Sequence, residues 1–552
     1  MSTAFRSRMR PPGNITRECK YVTKVSSNKK IKKPIESHSI QMLSSVDQYI
    51  LFATISITGA VVMMVEILGT RIISPYYGVS LIIWSSLISV TLMALAMGYF
   101  FGGKLADGEN IIQLSQIIFG SAIFTGLIPL ISEPVQASFE VFGLRGGALA
   151  SAMILFGPPL TLLGMVGPFV IKLLAFRLEK VGSTSGNVYA ISTCGSVIGT
   201  LFLGFYLIPV AGTRLIVVVL SIVLFLLGIC LVMLERKWRK DSNKNLTVVI
   251  MSVAILVMIL AVGQYKRSKE YSGYNVVSEA ESHYGWVRVV DQPKQRIRWL
   301  MSDSSTIGAE DLDTGKSRLG YQQIVSFIPR FNPRGEEALL IGLGSGHLVN
   351  ALKIQGVSTD AIEIDPAVAK AAKDYFSFRA SGQVLVGDAR YQVKNLAKNY
   401  DFIIHDCFTG GSEPIHLLSI EMLQSLRLRL KDRGVLALNF VGFTQGEHRK
   451  TVNAVARTLS EIFPYQRTFL SAPGEKFNDF VFFASNYPIG LGSGYRDKQL
   501  AHWMEQREIV ISGEDSFVIT DDFNPLESMQ IAKAELYREM LKQRVGEEIL
   551  FW

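Results

Sequence analysis

Residues 338–366 read ALLIGLGSGHLVNALKIQGVSTDAIEIDP. Leu339 to Leu343 is a short apolar run of the kind that fills a strand buried on both faces. Gly342, Gly344 and Gly346 let the backbone turn sharply and approach a ligand without interference from a Cβ. A helix follows, then a second apolar strand over Ala361 to Ile364, where Glu363 lies 17 residues after Gly346. A carboxylate at the end of that strand can accept both hydroxyls of a ribose. Strand, glycine turn, helix, strand and acid predict the entry half of a nucleoside-binding, doubly wound sheet. His347 stands where the dinucleotide fingerprint has its third glycine, and no GK[ST] ending follows, so a P-loop is excluded.

Outward from this stretch the alternation continues. Val384 to Val386, Phe402 to His405 and Val435 to Phe440 read as further strands with helices between them, and a late pair around Arg467 to Leu470 and Phe480 to Ala484 closes the sheet. Ligands of such sheets lie beyond the carboxyl ends of the strands. Gly387, Asp388 and Ala389 follow the third strand, where a carboxylate can take an adenine amino group. Upstream, Trp286 to Val290 and Arg298 to Met301 predict a small antiparallel lid. His405 reads as a buried strand end, His347 as a helix start, and Asp521 with Asp522 as a solvated turn before Pro525.

The first half has a different solvent. The chain of 552 residues is 49% apolar, with a mean hydropathy of +0.28, too apolar for a wholly soluble protein. Long uncharged runs at 49–69, 80–102, 112–133, 148–174, 189–210, 213–234 and 246–264 predict seven membrane helices. Gly98 with Gly102, and Gly195 with Gly199, form small-residue faces for close helix packing. Glu66 and nearby Arg71 are ionisable groups close to hydrocarbon, a placement that implies pairing or function.

The net charge of +9 does not form a nucleic-acid face, because ten Lys and Arg fall in the first 47 residues and five in Arg236 to Lys244. The short loops on the N-terminal side carry 19 basic residues against 3 on the other, which places the N-terminus in the cytoplasm of a cell-membrane protein. An odd helix count would put the C-terminal domain on the opposite side, and an even count, with the Gly- and Pro-broken 148–174 run as the one to change, would put it on the same side. The tail reads as disordered and cytosolic, with a mitochondrial presequence as the alternative. The four cysteines are too scattered for a disulfide framework or a zinc cluster, and no metal is expected. The expected organisation is a basic tail over 1–47, a helical membrane domain over 48–265, a β lid over 275–335 and a Rossmann-like domain over 336–552.

IGLGSG, EIDP, VGDAR, YDFIIHDCFTG and RGVLALNF together resemble the spermidine synthase (polyamine aminopropyltransferase) family over roughly residues 280–485. EILGTR, GPPLTLLGMVGPF, STCGSVIGT and ITDDFNPLE are similar to its membrane-spanning branch. The resemblance implies transfer of an aminopropyl group from decarboxylated S-adenosylmethionine to an amine, releasing methylthioadenosine. It implies that Glu363 holds the ribose, that Asp388 and Ala389 hold the adenine, and that Asp406 accepts a proton. An amine with a pKa near 10 must lose its proton before it attacks, and a carboxylate can orient it. Tyr284, Asp303, Tyr321 and Thr409 are further candidates for the acceptor site.

The pattern departs from the family where the glycine loop carries Ser345 in place of an acid, where Tyr321, Gln322 and Gln323 replace a Tyr-His-Glu triplet, and at Thr409 and Gly285. The nucleoside pocket is mostly kept and the dicationic-acceptor pocket mostly lost. A methyltransferase using ordinary S-adenosylmethionine is the alternative reaction, and a transporter or sensor that binds a nucleoside or polyamine is the non-catalytic one. A small-molecule amine, the lipid bilayer and a second copy of the chain are the expected partners; nucleic acid is not.

Overall fold

The structure, a computed structural model, describes residues 44–78, 81–108, 113–175, 181–238, 244–265, 273–408, 412–490 and 495–550. Seven long helices come first: α1 Ser45–Tyr77, α2 Leu81–Asp107, α3 Leu114–Phe139, α4 Gly143–Leu174, α5 Val181–Phe202, α6 Thr213–Trp238 and α7 Lys244–Tyr265. They form six segments long and apolar enough to cross a membrane. The longest, Leu114–Leu174, has 61 residues, which as one helix would reach about 90 Å at roughly 1.5 Å per residue. A 3₁₀ turn at Glu140–Phe142 divides it into α3 and α4, which fold back on each other.

The bundle packs through its small residues. α2 runs along α4, and α1 along α5. A Cβ on Gly98 would lie 2.4 Å from the Thr161 carbonyl oxygen, and one on Gly195 would lie 2.2 Å from that of Ser56. Side-chain contacts mark the two ends. At one, Lys237 near the end of α6 meets Asp47 at the start of α1, at 3.1 Å. At the other, Arg71, Leu81, Glu140 and Thr213 all touch the C-terminal half. The helices therefore cross the bundle seven times, and the N-terminal end of α1 lies opposite the C-terminal half.

That half has two sheets. The lid is a four-stranded antiparallel meander of β1 Asn275–Glu281, β2 Trp286–Gln292, β3 Ile297–Ser302 and β4 Ser305–Asp311. Only β2 and β3 were legible as strands, because β1 alternates with mostly polar residues and β4 contains Gly308 and two acids. The main sheet contains β5 Glu337–Ile341, β6 Ser358–Glu363, β7 Val384–Val386, β8 Tyr400–His405, β9 Leu430–Phe443, β10 Tyr465–Leu470, β11 Phe477–Ser485 and β12 Glu508–Ile509. Its order is β12-β10-β11-β9-β8-β5-β6-β7. Strands β9 to β7 in that order are parallel, and the late strands add antiparallel to β9, as the sequence pattern predicts.

The C-terminal helix, Ile531–Val545, is the main element the periodicity did not single out. Leu541 and Val545 pack with Ile549 and Leu550 against Val290, Trp299, Met301 and Ala309 of the lid. Arg538 stacks over the Tyr76 ring at 3.8 Å, while Lys542 pairs with Glu140 of the bundle. One helix thus joins lid and bundle.

Gly195→Ala is expected to lower the stability of the detergent-solubilised protein by about 1–3 kcal/mol, since the added methyl forces α5 away from α1. Gly186→Ala, with open space around it, is expected to be neutral or slightly stabilising in the same thermal unfolding measurement.

Candidate active site

Every candidate group on the main sheet sits at the carboxyl end of a strand, where the connections diverge. Gly342 follows β5 with φ +89°, and a Cβ there would lie 2.1 Å from the Asp406 carbonyl oxygen, so only glycine fits. The backbone N–H groups of Leu343 and Gly344 turn back toward β6 and donate to Glu363 Oε2 at 3.0 and 3.4 Å. The Asp365 N–H donates to Glu363 Oε1 at 3.0 Å. Burial pushes this carboxyl above its ordinary range, and the three backbone donors oppose that push. Gly346 serves differently: it starts the next helix in a left-handed conformation against the Phe378 ring.

Around these groups the strand ends, the lid and the C-terminal helix enclose a cavity of about 880 Å³. It falls into two parts. Gly342, Gly344, Glu363, Asp388 and Ala389 line one, with Ile364 and Val368 as apolar walls. Asp388 also caps its helix by accepting from the Tyr391 N–H at 2.8 Å. Glycine backbone, an acid ending β6 and an acid after β7 offer close backbone approach and two hydrogen-bond acceptors, a set suited to a nucleoside.

Asp406, at the end of β8, dominates the other part. Tyr321 donates its hydroxyl to Oδ2 at 2.9 Å, and Asn439 Nδ2 donates to Oδ1 at 3.1 Å. Burial raises its pKa to about 6, against these two donors and with the help of nearby Asp479 and Glu413. Asp479 faces the same space: it pairs with Val441 across β9 and β11, two residues along the strand from Asn439. Its carboxyl is also pushed up by burial, and Ser471 donates to it at 2.9 Å. Asn439 and Gln322 are among the lining residues at this end, and their side-chain oxygens are buried with no hydrogen-bond partner. The neighbouring Cys407 thiol is pushed well up by burial, which disfavours its thiolate form.

Of the other candidates, Tyr284 and Tyr321 line the cavity. Asp303 is turned into the lid instead, where its carboxylate accepts from the Trp286 N–H at 2.9 Å and lies against Gly285. Thr409 lies outside the described residues. Ser345 is almost wholly buried beneath Gly308 of β4 and shares a hydrogen bond of 2.7 Å with His347 Nδ1. His347 Nε2 in turn meets Glu310 at 3.1 Å. The expected helix-start histidine is thus a pin between glycine turn and lid. His405, as expected, is a buried strand end, bonded to the Leu417 carbonyl. Asp521 pairs with Arg390 away from the cavity. Asn439 and Asp479 were not singled out in the sequence, although each is a polar residue interrupting an apolar strand, in LALNF and FNDFVFF.

A doubly wound sheet with a four-stranded lid and acids at these strand ends is the architecture of a Rossmann-like, spermidine synthase-type domain. Residues 319–484 match the family model described as the spermine/spermidine synthase domain, and the C-terminal region carries that domain. The chain is 31% identical over 243 residues to the N-terminal histidine N-methyltransferase of Emericella nidulans, covering 39% of this chain and 42% of that protein. It is 40% identical over 116 residues to the polyamine aminopropyltransferase of Vibrio vulnificus, covering 20% of this chain and 39% of that protein. It therefore aligns with well under two thirds of either relative. A probable spermidine synthase from Corynebacterium glutamicum superposes with a TM-score of 0.39 at 12% identity, over 45% of this chain and 97% of that one.

Glu363→Gln keeps the size of the side chain but removes the charge. It is expected to weaken binding of S-adenosylhomocysteine or methylthioadenosine by about 10- to 150-fold, the worth of roughly 1.5–3 kcal/mol for hydrogen bonds to a charged group. Titration calorimetry on the purified chain measures it.

Proposed function

We propose that this domain alkylates a nitrogen, using an S-adenosyl sulfonium compound as donor, and that the group moved is a methyl. The donor supplies a carbon made electrophilic by positively charged sulfur. Glu363 would hold its ribose, and Asp388 and Ala389 its adenine. Asp406 orients the acceptor nitrogen, takes the proton it sheds as the new C–N bond forms, and offsets the charge developing there. Alignment in an enclosed cavity contributes the larger share of the rate, because the sulfonium leaves readily as a neutral thioether.

The observation that carries the nitrogen acceptor is the lining around Asp406. Asp406, Asp479, Asn439 Oδ1 and Gln322 Oε1 are all hydrogen-bond acceptors, and the last two are buried without partners. A substrate that carries N–H groups is well matched to such acceptors, even with Arg544 on the lining near Asp479. An N-terminal histidine, the group in the name of the Emericella relative, offers an imidazole and an α-ammonium to two carboxylates.

Methyl is favoured over aminopropyl by Ser345. Both donors carry an ammonium, but only ordinary S-adenosylmethionine adds a carboxylate, which an acid on the glycine loop would repel; this loop instead has a neutral hydroxyl committed to His347 beneath β4. Aminopropyl transfer from decarboxylated S-adenosylmethionine to an amine is the second reading. The family domain and the Vibrio relative support it. In either case we place the protein in a membrane through its long apolar helices, with the domain at the end of the bundle opposite the start of α1.

The purified full-length chain, given either donor with histidine-headed peptides or a panel of amines, is expected to release S-adenosylhomocysteine from S-adenosylmethionine. Methylthioadenosine release from the decarboxylated donor would establish the second reading instead, and turnover of neither donor would refute both. With the preferred donor, kcat/KM is expected to rise with pH through about 6 as Asp406 loses its proton. Asp406→Asn should abolish that limb and lower kcat by about 10²–10⁴-fold.

A further inference from the structure

Arg71 lies in α1, six residues before its end, and the sequence suggested Glu66 as its partner. The structure sends it elsewhere. Its Nη1 donates to the Ser282 carbonyl at 2.6 Å and its Nη2 to the His283 carbonyl at 2.5 Å. These are successive residues of the turn between β1 and β2, and the next residue, Tyr284, lines the cavity. The planar fork of a guanidinium suits two adjacent carbonyls in a way that a lysine ammonium does not.

The turn continues the connection inward. Ser282 Oγ donates to Asp365 Oδ2 at 2.7 Å, and the Asp365 N–H donates to Glu363 Oε1 at 3.0 Å. Glu363 Oε2 is held by the glycine turn. An unbroken series of hydrogen bonds therefore runs from a membrane-type helix to the carboxylate placed to hold a ribose. Arg71 also lies within electrostatic range of Asp303 and Asp365, whose burial raises both carboxyls above their ordinary range. The other arginine at the turn is occupied: Arg288 donates to the carbonyls of Asp303 and Ile549.

From this geometry we infer that Arg71 is a positioning residue for the donor site, so that the helical bundle completes the nucleoside pocket in addition to holding the domain at a membrane. The inference rests on the adenosyl-donor reading given above. Without Arg71 the Ser282–Tyr284 turn is left with the neighbouring Glu281–Thr213 contact as its hold on the bundle, and the Ser282 hydroxyl is less firmly placed against Asp365, whose N–H supports Glu363 Oε1.

The test uses the full-length chain in detergent or nanodiscs, with S-adenosylhomocysteine and methylthioadenosine as probes for calorimetry. Arg71→Met is expected to raise the Kd of the bound probe at least tenfold, and Arg71→Lys to recover part of the loss through one carbonyl. Lys542→Met breaks a different contact between domain and bundle, with Glu140, and should leave the Kd within twofold. Equal losses in Arg71→Met and Lys542→Met would reduce Arg71 to general docking, and an unchanged Kd in Arg71→Met would likewise overturn the inference. If Arg71→Met does not fold, Ser282→Ala, which cuts the link to Asp365 together with the hydroxyl's bonds to Tyr284 and Gly285 inside the turn, must reproduce the tenfold loss or the inference fails. No binding of either probe by the unaltered protein would overturn the adenosyl reading itself, and this inference with it.

Discussion

The C-terminal half depends on how closely the backbone leaving β5 passes the end of β8. Asp406 N–H donates to the Ile341 carbonyl at 2.9 Å, and the Asp406 carbonyl occupies the space where Gly342 would carry a Cβ. That contact fuses the two parts of the cavity. The glycine turn faces Glu363 on one side, while the same few atoms fix the direction of Asp406 on the other. A larger residue at 342 would separate nucleoside from acceptor before any substrate-binding side chain was altered, and a misplacement of about 1 Å between reacting groups costs on the order of a hundredfold in rate.

Much of this was legible because it follows from local rules. Glycines at alternate positions, an acid ending β6 and an acid after β7 can be read along the chain, since each owes its place to its own strand. What escaped was set by partners far away in sequence. Asp479 reaches the cavity only because β11 adds antiparallel to β9, which puts it opposite Val441. Asp303 looked available to an acceptor, but the extended backbone at Trp286 needed a partner for its N–H, and the lid took that carboxylate. Ser345 could be seen as a missing acid. That its hydroxyl is claimed by His347, itself bonded to Glu310 of β4, follows from lid closure and from no spacing in the sequence.

The helices show the same division. Apolar runs in the sequence predict seven spans, and the described residues hold six segments long and apolar enough to cross a membrane, the longest divided by the 3₁₀ turn at Glu140–Phe142. Their relation to the domain did not follow from length. Glu140 lies at that turn and gathers Tyr76, Arg538 and Lys542, so the break between α3 and α4 also seats the C-terminal helix. Burial draws the Lys542 and Arg538 side chains out of water, and their charges are balanced by Glu140 rather than left to solvent.

The acceptor end is held in an electrostatically unfavourable state. Asp406 and Asp479 face one space, and the nearby Lys533 is already spent on Glu413, buried beside the Phe440 ring. Raising a carboxyl from an ordinary 3.8 to about 6 costs the folded state roughly 3 kcal/mol at neutral pH. The sign is that of an acid bound more tightly to its proton when folded: the stabilisation is full below the ordinary value and is lost as pH rises through about 6. A cationic, N–H-rich acceptor reverses that loss, because it supplies the missing charge together with donors for Asn439 and Gln322. In the reaction proposed above, binding energy that a preformed neutral site would not offer is thereby concentrated at the acceptor nitrogen, beside Asp406.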